Sequence, residues 1–262
     1  MADLTLGELI QIRSRYFRTT LQMWQGKDES PATVTSSINR AKRRIEEELW
    51  IYNPKVTLHG HEGVGEYDFE DAGSSTSNND VSVPVWHPQR AYCNLKELYG
   101  ADDRPGFWKP QEFLQAVHDW FDTATHGNDV PTIAVFWHIR RVQFFKPFSA
   151  TAISTGGNYV AGFVRSLDFT LTAPPGDVDD MDQALTIVPR KLQEEVGIFA
   201  AILDAHPTLG EREQWAIYKD HRGQTWQDIT EQGQANKSQV MNANSVFQPQ
   251  FSRVERVGFR GW

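Results

Sequence analysis

The chain has 262 residues, a length that suits one large domain or one domain with an extension. Its hydrophobic fraction of 39% is too high for a disordered chain, and its net charge of −8 argues against a nonspecific nucleic-acid-binding protein. Cys93 is the only cysteine, which excludes an intrachain disulfide and any site that needs two cysteines.

Two helices are predicted at the start of the chain. Residues 4–25 carry an amphipathic stripe, with the spacing of a capping box at residues 5–8. Ser30 and Pro31 then suit the N-cap and the first position of a second helix. Its apolar residues recur at helical spacing as far as the Asn-Pro pair at 53–54, where we expect it to end.

A β-rich region is predicted to follow. We expect short strands at residues 55–58 and 66–69, placed around a glycine-rich turn, and a polar loop at 72–80. Helical spacing predicts a helix at 110–123, and residues 94–99 form a helical turn at most. Runs rich in β-branched and aromatic residues predict further strands at 81–86, 131–138, 142–146 and 160–172.

The last part of the chain is predicted to be helical and then extended. Residues 189–205 and 209–231 predict two helices, separated by Pro207. Beyond Gly233 the chain is rich in Gln and Asn and loses helical periodicity. We therefore expect residues 233–262 to be an extended arm that gains order by docking on a neighbour. Its candidate partner-binding residues are Phe247, Phe251, Arg253, Arg256, Phe259, Arg260 and Trp262.

Two groups of residues resemble fragments of metal sites. His59 and His61 flank a glycine in a turn, but no third ligand stands at a spacing typical of such a site. His118 and Asp119, with His126 downstream, resemble part of a metal-dependent hydrolase motif, yet adjacent residues of a helix point about 100° apart. We interpret the first group as a solvated turn and the second as a polar helix face.

The remaining candidates for chemistry are also interpreted as structural. The acidic run of Asp177, Asp179, Asp180 and Asp182 lacks the central glycine and terminal glutamate of a calcium loop, so we expect a solvated loop before a helix. Cys93 has no local nucleophile signature and should be a small buried side chain. Glycine-based phosphate-binding and hydrolase motifs are absent from the sequence. We therefore expect no catalytic residue, no cofactor and no metal.

Two basic clusters lie in the predicted N-terminal helices. The first consists of Arg13, Arg15 and Arg18, and the second occupies residues 40–44. Glutamates at 46–48 follow the second cluster, so pairing at i,i+4 spacing explains much of it. DNA contact by these residues therefore has little support.

Several segments resemble phage head-to-tail adaptor proteins, also called connector or neck proteins. The segments LTLGELIQIRSRY and PATVTSSINRAKRRIEEELW resemble the first two helices of that family. The strand segments KVTLHGHEGVGEYDFE and PTIAVFWHIRRVQFFKPF, and the closing LTIVPRKLQEEVGIFAAILDAHP, fit the same order of elements. The resemblance covers roughly residues 4–230 and lies in the order of elements more than in any short signature.

The resemblance implies a structural virion protein rather than an enzyme. It implies a cyclic ring, commonly of twelve copies, that docks on the portal protein and joins it to a tail or nozzle protein. Double-stranded DNA would pass through the bore without sequence-specific binding. The nine tryptophans agree with extensive surface buried between subunits, and the acidic charge agrees with a channel that does not hold DNA.

The predicted fold class is α+β. Residues 1–232 are expected to form the adaptor domain: an antiparallel helical bundle, with two N-terminal helices at about 4–53 and two C-terminal helices at about 189–231, and a β-rich lobe at about 54–188. Residues 233–262 form the extended C-terminal arm.

The expected location is the neck of the virion, after synthesis in the host cytoplasm. The opening residues lack the apolar core of a signal peptide, and no stretch of the sequence is long enough to span a membrane, so no membrane partner is expected. Two alternatives remain open. One is another neck or tail-tube component, and the other, from a different class, is a metal-dependent hydrolase.

Overall fold

The computed structural model describes residues 2–21, 30–70, 72, 80–98, 131, 133–136, 141–171 and 178–246. It contains helices and small antiparallel sheets, so the chain is an α+β protein. The helices are α1 (Leu6–Thr19), α2 (Pro31–Leu49), α3 (Ala150–Thr155), α4 (Val178–Met181), α5 (Gln193–Ala205), α6 (Glu211–His221) and α7 (Gly223–Val246). The strands are β1 (Tyr52–Thr57), β2 (Glu66–Asp68), β3 (Val85–Cys93), β4 (Lys96–Glu97), β5 (Ile133–Phe136), β6 (Arg141–Phe145) and β7 (Tyr159–Val164).

The predicted starts of both N-terminal helices are confirmed. The Thr5 hydroxyl accepts a hydrogen bond from the Glu8 amide at 3.3 Å, and the Glu8 carboxylate accepts one from the Thr5 amide at 2.9 Å. The Ser30 hydroxyl accepts from the Thr33 amide, with Pro31 in the first turn. Each cap satisfies amide groups that have no partner inside the helix, which fixes where the helix begins.

The predicted end of the second helix at 53–54 is wrong. The helix α2 ends at Leu49, and Trp50 turns the chain with a left-handed φ of 47°. Residues 53 and 54 belong to β1, where Tyr52 pairs with Phe163 of β7. Proline is tolerated there because β1 lies at the edge of its sheet and its register shifts next to residue 54.

The strands form two antiparallel sheets with the orders β1-β7-β3-β4 and β2-β6-β5. The strands predicted at 55–58 and 66–69 exist, but they do not pair with each other: Val56 pairs with Val160, and Tyr67 with Val142. The turn between them carries the chain from one sheet to the other. Gly60 makes this crossing close to the β core, where an added Cβ would lie 2.9 Å from the Phe148 ring.

The other β predictions are confirmed in part. Strands β5, β6 and β7 lie inside or next to the predicted runs, but β7 ends at Val164 rather than continuing to 172. The strand predicted at 81–86 begins at Val85 and runs to Cys93. The helical turn at 94–99 is wrong, because Asn94 and Leu95 form the turn between β3 and β4. The helix predicted at 110–123 and most of the loop at 72–80 lie outside the described residues.

Two apolar cores lie side by side. The helical core joins α1 and α2 to α5, α6 and α7, and its fully buried residues include Leu6, Leu9, Ile38, Ala41, Ile45, Leu49, Val196, Ile202, Tyr218 and Ile229. The β core lies within residues 56–164 and includes Val56, Tyr67, Phe69, Val85, Val142, Phe148, Val160 and Val164. Within the part of the chain that the structure describes, no helix is long and apolar enough to cross a membrane.

The C-terminal helices differ from their predicted bounds. The segment 209–231 is broken at Arg222, which separates α6 from α7. The extended arm predicted from residue 233 is wrong for residues 233–246, which continue α7 as far as Val246. Gly233 does not end the helix because it lies inside the contact of α7 with α2, where a side chain has no room. Residues 247–262 lie outside the described residues and are called the C-terminal segment below.

Candidate functional site

A lysine and a glutamate are buried together where α2 meets residues 165–169. Lys42 and Glu46 lie one turn apart on α2, and both side chains belong to fully buried residues. The Glu46 carboxylate accepts hydrogen bonds from the Ser166 amide, at 3.0 Å, and from the Ser166 hydroxyl. The Lys42 ammonium donates to the Leu167 carbonyl and lies 3.6 Å from an oxygen of Asp168.

Burial dominates the electrostatics of this pair. It lowers the pKa of Lys42 to about 8 and raises the pKa of Glu46 to about 7, since both charged forms lose water. Attraction between the two side chains opposes both shifts, and the hydrogen bonds from Ser166 also lower the pKa of Glu46. Each residue therefore compensates the buried charge of the other, and the pair fixes α2 against residues 166–168.

A cavity of about 450 Å³ opens next to this pair. It is lined by Arg43, Asp68, Glu70, Pro84, Arg165, Ser166, Leu167 and Asp168. Arg165 binds Glu70 at 2.7 Å and Glu47 at 3.3 Å, while Arg43 binds both carboxylate oxygens of Asp168. Both guanidinium groups that line the cavity are thus bound to carboxylates. These ion pairs join α2 to the residues around the β core, and neither arginine offers an unpaired positive charge to a ligand.

Two further polar clusters lie inside the helical core. Arg13 is 1% exposed and binds Asp204 at 2.7 Å, and the Asp204 carboxylate also accepts from the Ser37 hydroxyl. This cluster joins α1, α2 and α5. The second cluster joins α5, α6 and the residue that follows α6, since Glu195 accepts hydrogen bonds from Tyr218, at 3.0 Å, and from Arg222. Burial also raises the pKa of Tyr218 well above its ordinary value.

The two basic clusters predicted from the sequence are mostly exposed: Arg15, Arg18 and Arg40 lie at the surface, and two members are buried. Arg13 and Lys42 are buried in the ties just described, and Arg43 binds Asp168 across the fold. Pairing at i,i+4 spacing is confirmed for Arg44, whose guanidinium lies 2.8 Å from the Glu48 carboxylate.

Of the predicted histidine and aspartate groups, the structure describes His59, His61, Asp179, Asp180 and Asp182. His61 Nε2 lies 3.7 Å from Asp80 Oδ1, and among the described residues no group of three or more His, Cys, Asp or Glu side chains could hold a metal ion. The interpretation of the acidic run as a solvated loop is wrong in part: Asp179 and Asp180 belong to the short helix α4, and Asp180 is 6% exposed. That helix packs beside α1, which the sequence run alone does not indicate.

The remaining predicted residues fall into two groups. Cys93 is buried as expected, and burial raises the pKa of its thiol to about 11, so the reactive thiolate is suppressed. The other group lies outside the described residues and comprises His118, Asp119, His126, Asp177 and the arm residues Phe247, Phe251, Arg253, Arg256, Phe259, Arg260 and Trp262.

An aromatic surface that sequence reasoning did not locate covers the outer side of the four-stranded sheet. Val160 and Val164 of β7 point into the β core, so Tyr159 and Phe163 point to the opposite side. Phe163 is fully buried there under a layer of half-buried rings. We call this layer, together with the stacked pair of Tyr92 and Tyr159, the aromatic face; its residues are Trp50, Tyr52, Trp86, His87, Tyr92, Tyr159 and Phe163.

The geometry of the aromatic face is well defined. The ring centroids of Trp50 lie 4.8 Å from Trp86 and 5.0 Å from Phe163, and the rings of Tyr92 and Tyr159 stack at 4.3 Å. The high tryptophan content indicated that an aromatic surface exists. It did not identify the residues of that surface, because the rings come from segments that are far apart along the chain.

No protein-family model matches the sequence of this chain, and no curated protein matches it. Within the described residues, the features of the chain that bear on function are the buried charge ties, the two cores and the aromatic face.

Proposed function

We propose that this chain is a structural subunit of a tailed-phage neck, a head-to-tail adaptor rather than an enzyme. The observation that carries the proposal is the construction of the helical core. Helices α1 and α2, from the start of the chain, share one core with α5, α6 and α7, while the β core is built from the residues between them. This layout is the one that the resemblance of the sequence implies.

The finer fold belongs to the same proposal. We infer that the helices form an antiparallel bundle and that the sheets form a lobe on one side of it. The extensive contacts of α5 with α1 and α2 support this arrangement, as does the absence of room for a side chain at Gly197, where an added Cβ would lie 2.9 Å from Ile12.

The buried charge ties hold distant parts of the chain together, as a structural subunit requires. Lys42, Glu46, Arg13 and Asp204 join elements that are more than 100 residues apart, and each charge is matched by a partner. Breaking such a tie leaves an uncompensated buried charge, which costs about 3–5 kcal/mol. A subunit built in this way resists distortion when neighbours pull on it.

The proposed partners are further copies of the chain in a closed ring of twelve, the portal protein on one side and a tail or nozzle protein on the other. Closed cyclic assembly uses one heterologous contact repeated around the axis. The net charge of −8 per subunit supports weak, salt-sensitive contact with the passing duplex DNA and no sequence preference. The proposed location is the neck of the virion.

Size measurement tests the proposal. Mass photometry of the purified chain, alone and mixed with the portal protein of its phage, should show a complex that contains many copies of the chain on each portal ring. A cryo-electron microscopy map of the complex should then show rotational symmetry. One or a few copies on the portal without symmetry, or no association, would remove the adaptor assignment.

A further inference from the structure

We propose that the aromatic face is the docking surface for the C-terminal segment, residues 247–262, of a neighbouring copy of the chain. The inference rests on the proposed function in one respect, because it takes neighbouring copies to stand side by side in a ring. It adds the receptor for the segment, which the sequence alone does not identify.

Part of the ring surface of the aromatic face is exposed to solvent in a single subunit. Trp50, Tyr52, Trp86, Tyr92 and Tyr159 are all half-buried, although their rings are held in fixed positions by mutual contacts. Rings that are already ordered bind a partner with little loss of conformational entropy, which is why Trp and Tyr are enriched where binding energy concentrates.

One polar group on the face also lacks a partner. The indole N–H of Trp86 is shielded from water and has no acceptor among the described residues. A buried donor without an acceptor costs about 1–3 kcal/mol. An acceptor supplied by a docked peptide would remove this cost.

Helix α7 contacts the aromatic face ten residues before the C-terminal segment begins. The Asn236 side chain donates to the Leu49 carbonyl at 2.8 Å, and the Lys237 ammonium lies 4.0 Å from the centre of the Trp50 ring. From residue 237 to Val246 the helix advances about 14 Å. The sixteen residues that follow can span at most about 55 Å when extended, a length that allows the segment to leave its own subunit.

Composition and charge favour the same occupant. The C-terminal segment contains three phenylalanines and one tryptophan, which match an aromatic receptor. It carries three arginines and one glutamate, a net charge of +2, so residues 1–246 carry −10. A basic segment is attracted to an acidic body. The Trp50 and Tyr159 rings already hold the ammonium groups of Lys237 and Lys55, so rings of this face accept cations, as they would accept the guanidinium groups of the segment.

A labelled peptide tests the docking without requiring assembly. The peptide of residues 247–262 carries a fluorophore and is titrated against the full-length chain while fluorescence anisotropy is recorded. Saturable binding is expected, and a scrambled peptide of the same composition should bind about tenfold more weakly or not at all. Absence of saturable binding would overturn the proposal. The same result is expected if each copy covers its own face with its own segment, because the peptide then finds no open face.

Variants of the face then locate the binding. Trp86→Gln and Tyr92→Ser should each weaken peptide binding by about tenfold or more. Tyr92 serves as the second variant because its half-buried ring stacks on Tyr159, and circular dichroism of each variant checks that the protein is folded. Val64→Ser is the matched control, since it changes an exposed apolar residue away from the face and should leave binding unchanged. Equal losses in all three variants, or a loss in none, would contradict docking on this face.

The peptide experiment and the portal experiment can fail independently of each other. If the chain forms a ring on the portal but the peptide does not bind the face, the docking proposal fails and the adaptor assignment stands. If the peptide binds the face but the chain does not join the portal, the docking surface stands and the adaptor assignment fails.

Discussion

Gly233 of α7 lies directly against the main-chain carbonyl of Glu48 near the end of α2: an added Cβ would be 1.8 Å from that oxygen. The two helices are therefore closer here than any side chain would allow. The next turn of α7 strengthens the contact, because Asn236 binds the Leu49 carbonyl and so satisfies one of the last carbonyls of α2.

Replacing this glycine should destabilise the protein. Gly233→Ala forces α7 away from α2, and we expect the free energy of unfolding to fall by about 2 kcal/mol or more. Gly223→Ala is the control, because nothing lies within 4 Å of a Cβ added at that position. It should remain within about 1 kcal/mol of the wild type. Urea denaturation measures both variants, and equal stability of the two would show that α7 does not pack on α2 in this way.

Two truncations separate the helix from the segment that follows it. Ending the chain after Val246 keeps all of α7, so the melting temperature should stay within about 2 °C of the full-length value. Ending it after residue 232 removes the contacts of Gly233, Asn236 and Lys237 with α2 and Trp50, and the melting temperature should fall by more than that.

Neither truncated chain should join the portal stably, because both lack the C-terminal segment. Assembly of the 1–246 chain into virions at normal occupancy would show that the segment is not an anchor. Calorimetry measures the stability of each truncated chain, and the protein composition of purified virions measures its assembly.

The buried carboxyl of Glu46 should make stability depend on pH. Its pKa is raised from 4.5 to about 7, so the folded state keeps a proton that the unfolded state releases between those values. The stabilisation is complete below about pH 4.5 and is lost as the pH rises through 7, with a slope of up to about 1.4 kcal/mol per pH unit.

Glu46→Gln removes this titration and should flatten the pH dependence measured by urea denaturation at pH 4.5, 5.2 and 6. These values lie about two units or more below the pKa of about 8 of Lys42, because the variant also removes the attraction to Glu46 that raises this pKa. Glu48→Gln is the control, since that carboxylate pairs with Arg44 at the helix surface. An unchanged slope in Glu46→Gln would mean that Glu46 does not titrate in this window.

Cys93 should react slowly in the folded protein. Burial raises the pKa of its thiol from 9.0 to about 11, so the thiolate fraction at pH 8 is about a hundredfold lower than for a free thiol. Modification by Ellman's reagent at pH 8 should be slower by at least that factor than after unfolding in guanidinium. Because the chain has one cysteine, the signal reports this residue alone. Rapid reaction of the native protein would contradict the burial of the side chain.

Local signals in the sequence predicted the helices better than the sheets. The caps at Thr5 and Ser30 act within four residues, so their position can be predicted without knowledge of the rest of the fold. The partners of β1 and β2 come from more than 70 residues later in the chain, and a pattern inside one segment cannot select between distant strands. Gly233 shows the opposite failure. The loss of helical periodicity beyond it predicted an extended arm, but the helix continues and packs on α2 through this glycine.

The same distinction explains the candidate sites. The i,i+4 spacing of Lys42 and Glu46 is visible in the sequence, but it equally suits an exposed pair. Their burial depends on Ser166 and Asp168, more than 100 residues further on. Likewise, the tryptophan count indicated an interface, whereas the aromatic face required the register of β7 with β1 and β3.

The division of the chain between its two cores sets an order for folding during synthesis. The β core closes within residues 56–164, so it can form as soon as those residues have left the ribosome. The helical core needs residues up to Ile229, and until α5 at Gln193–Ala205 is translated α1 and α2 lack the helix on which they mainly pack. The nascent chain therefore carries an exposed apolar stripe through most of its translation, which makes the N-terminal helices the part of the molecule that most needs protection by chaperones.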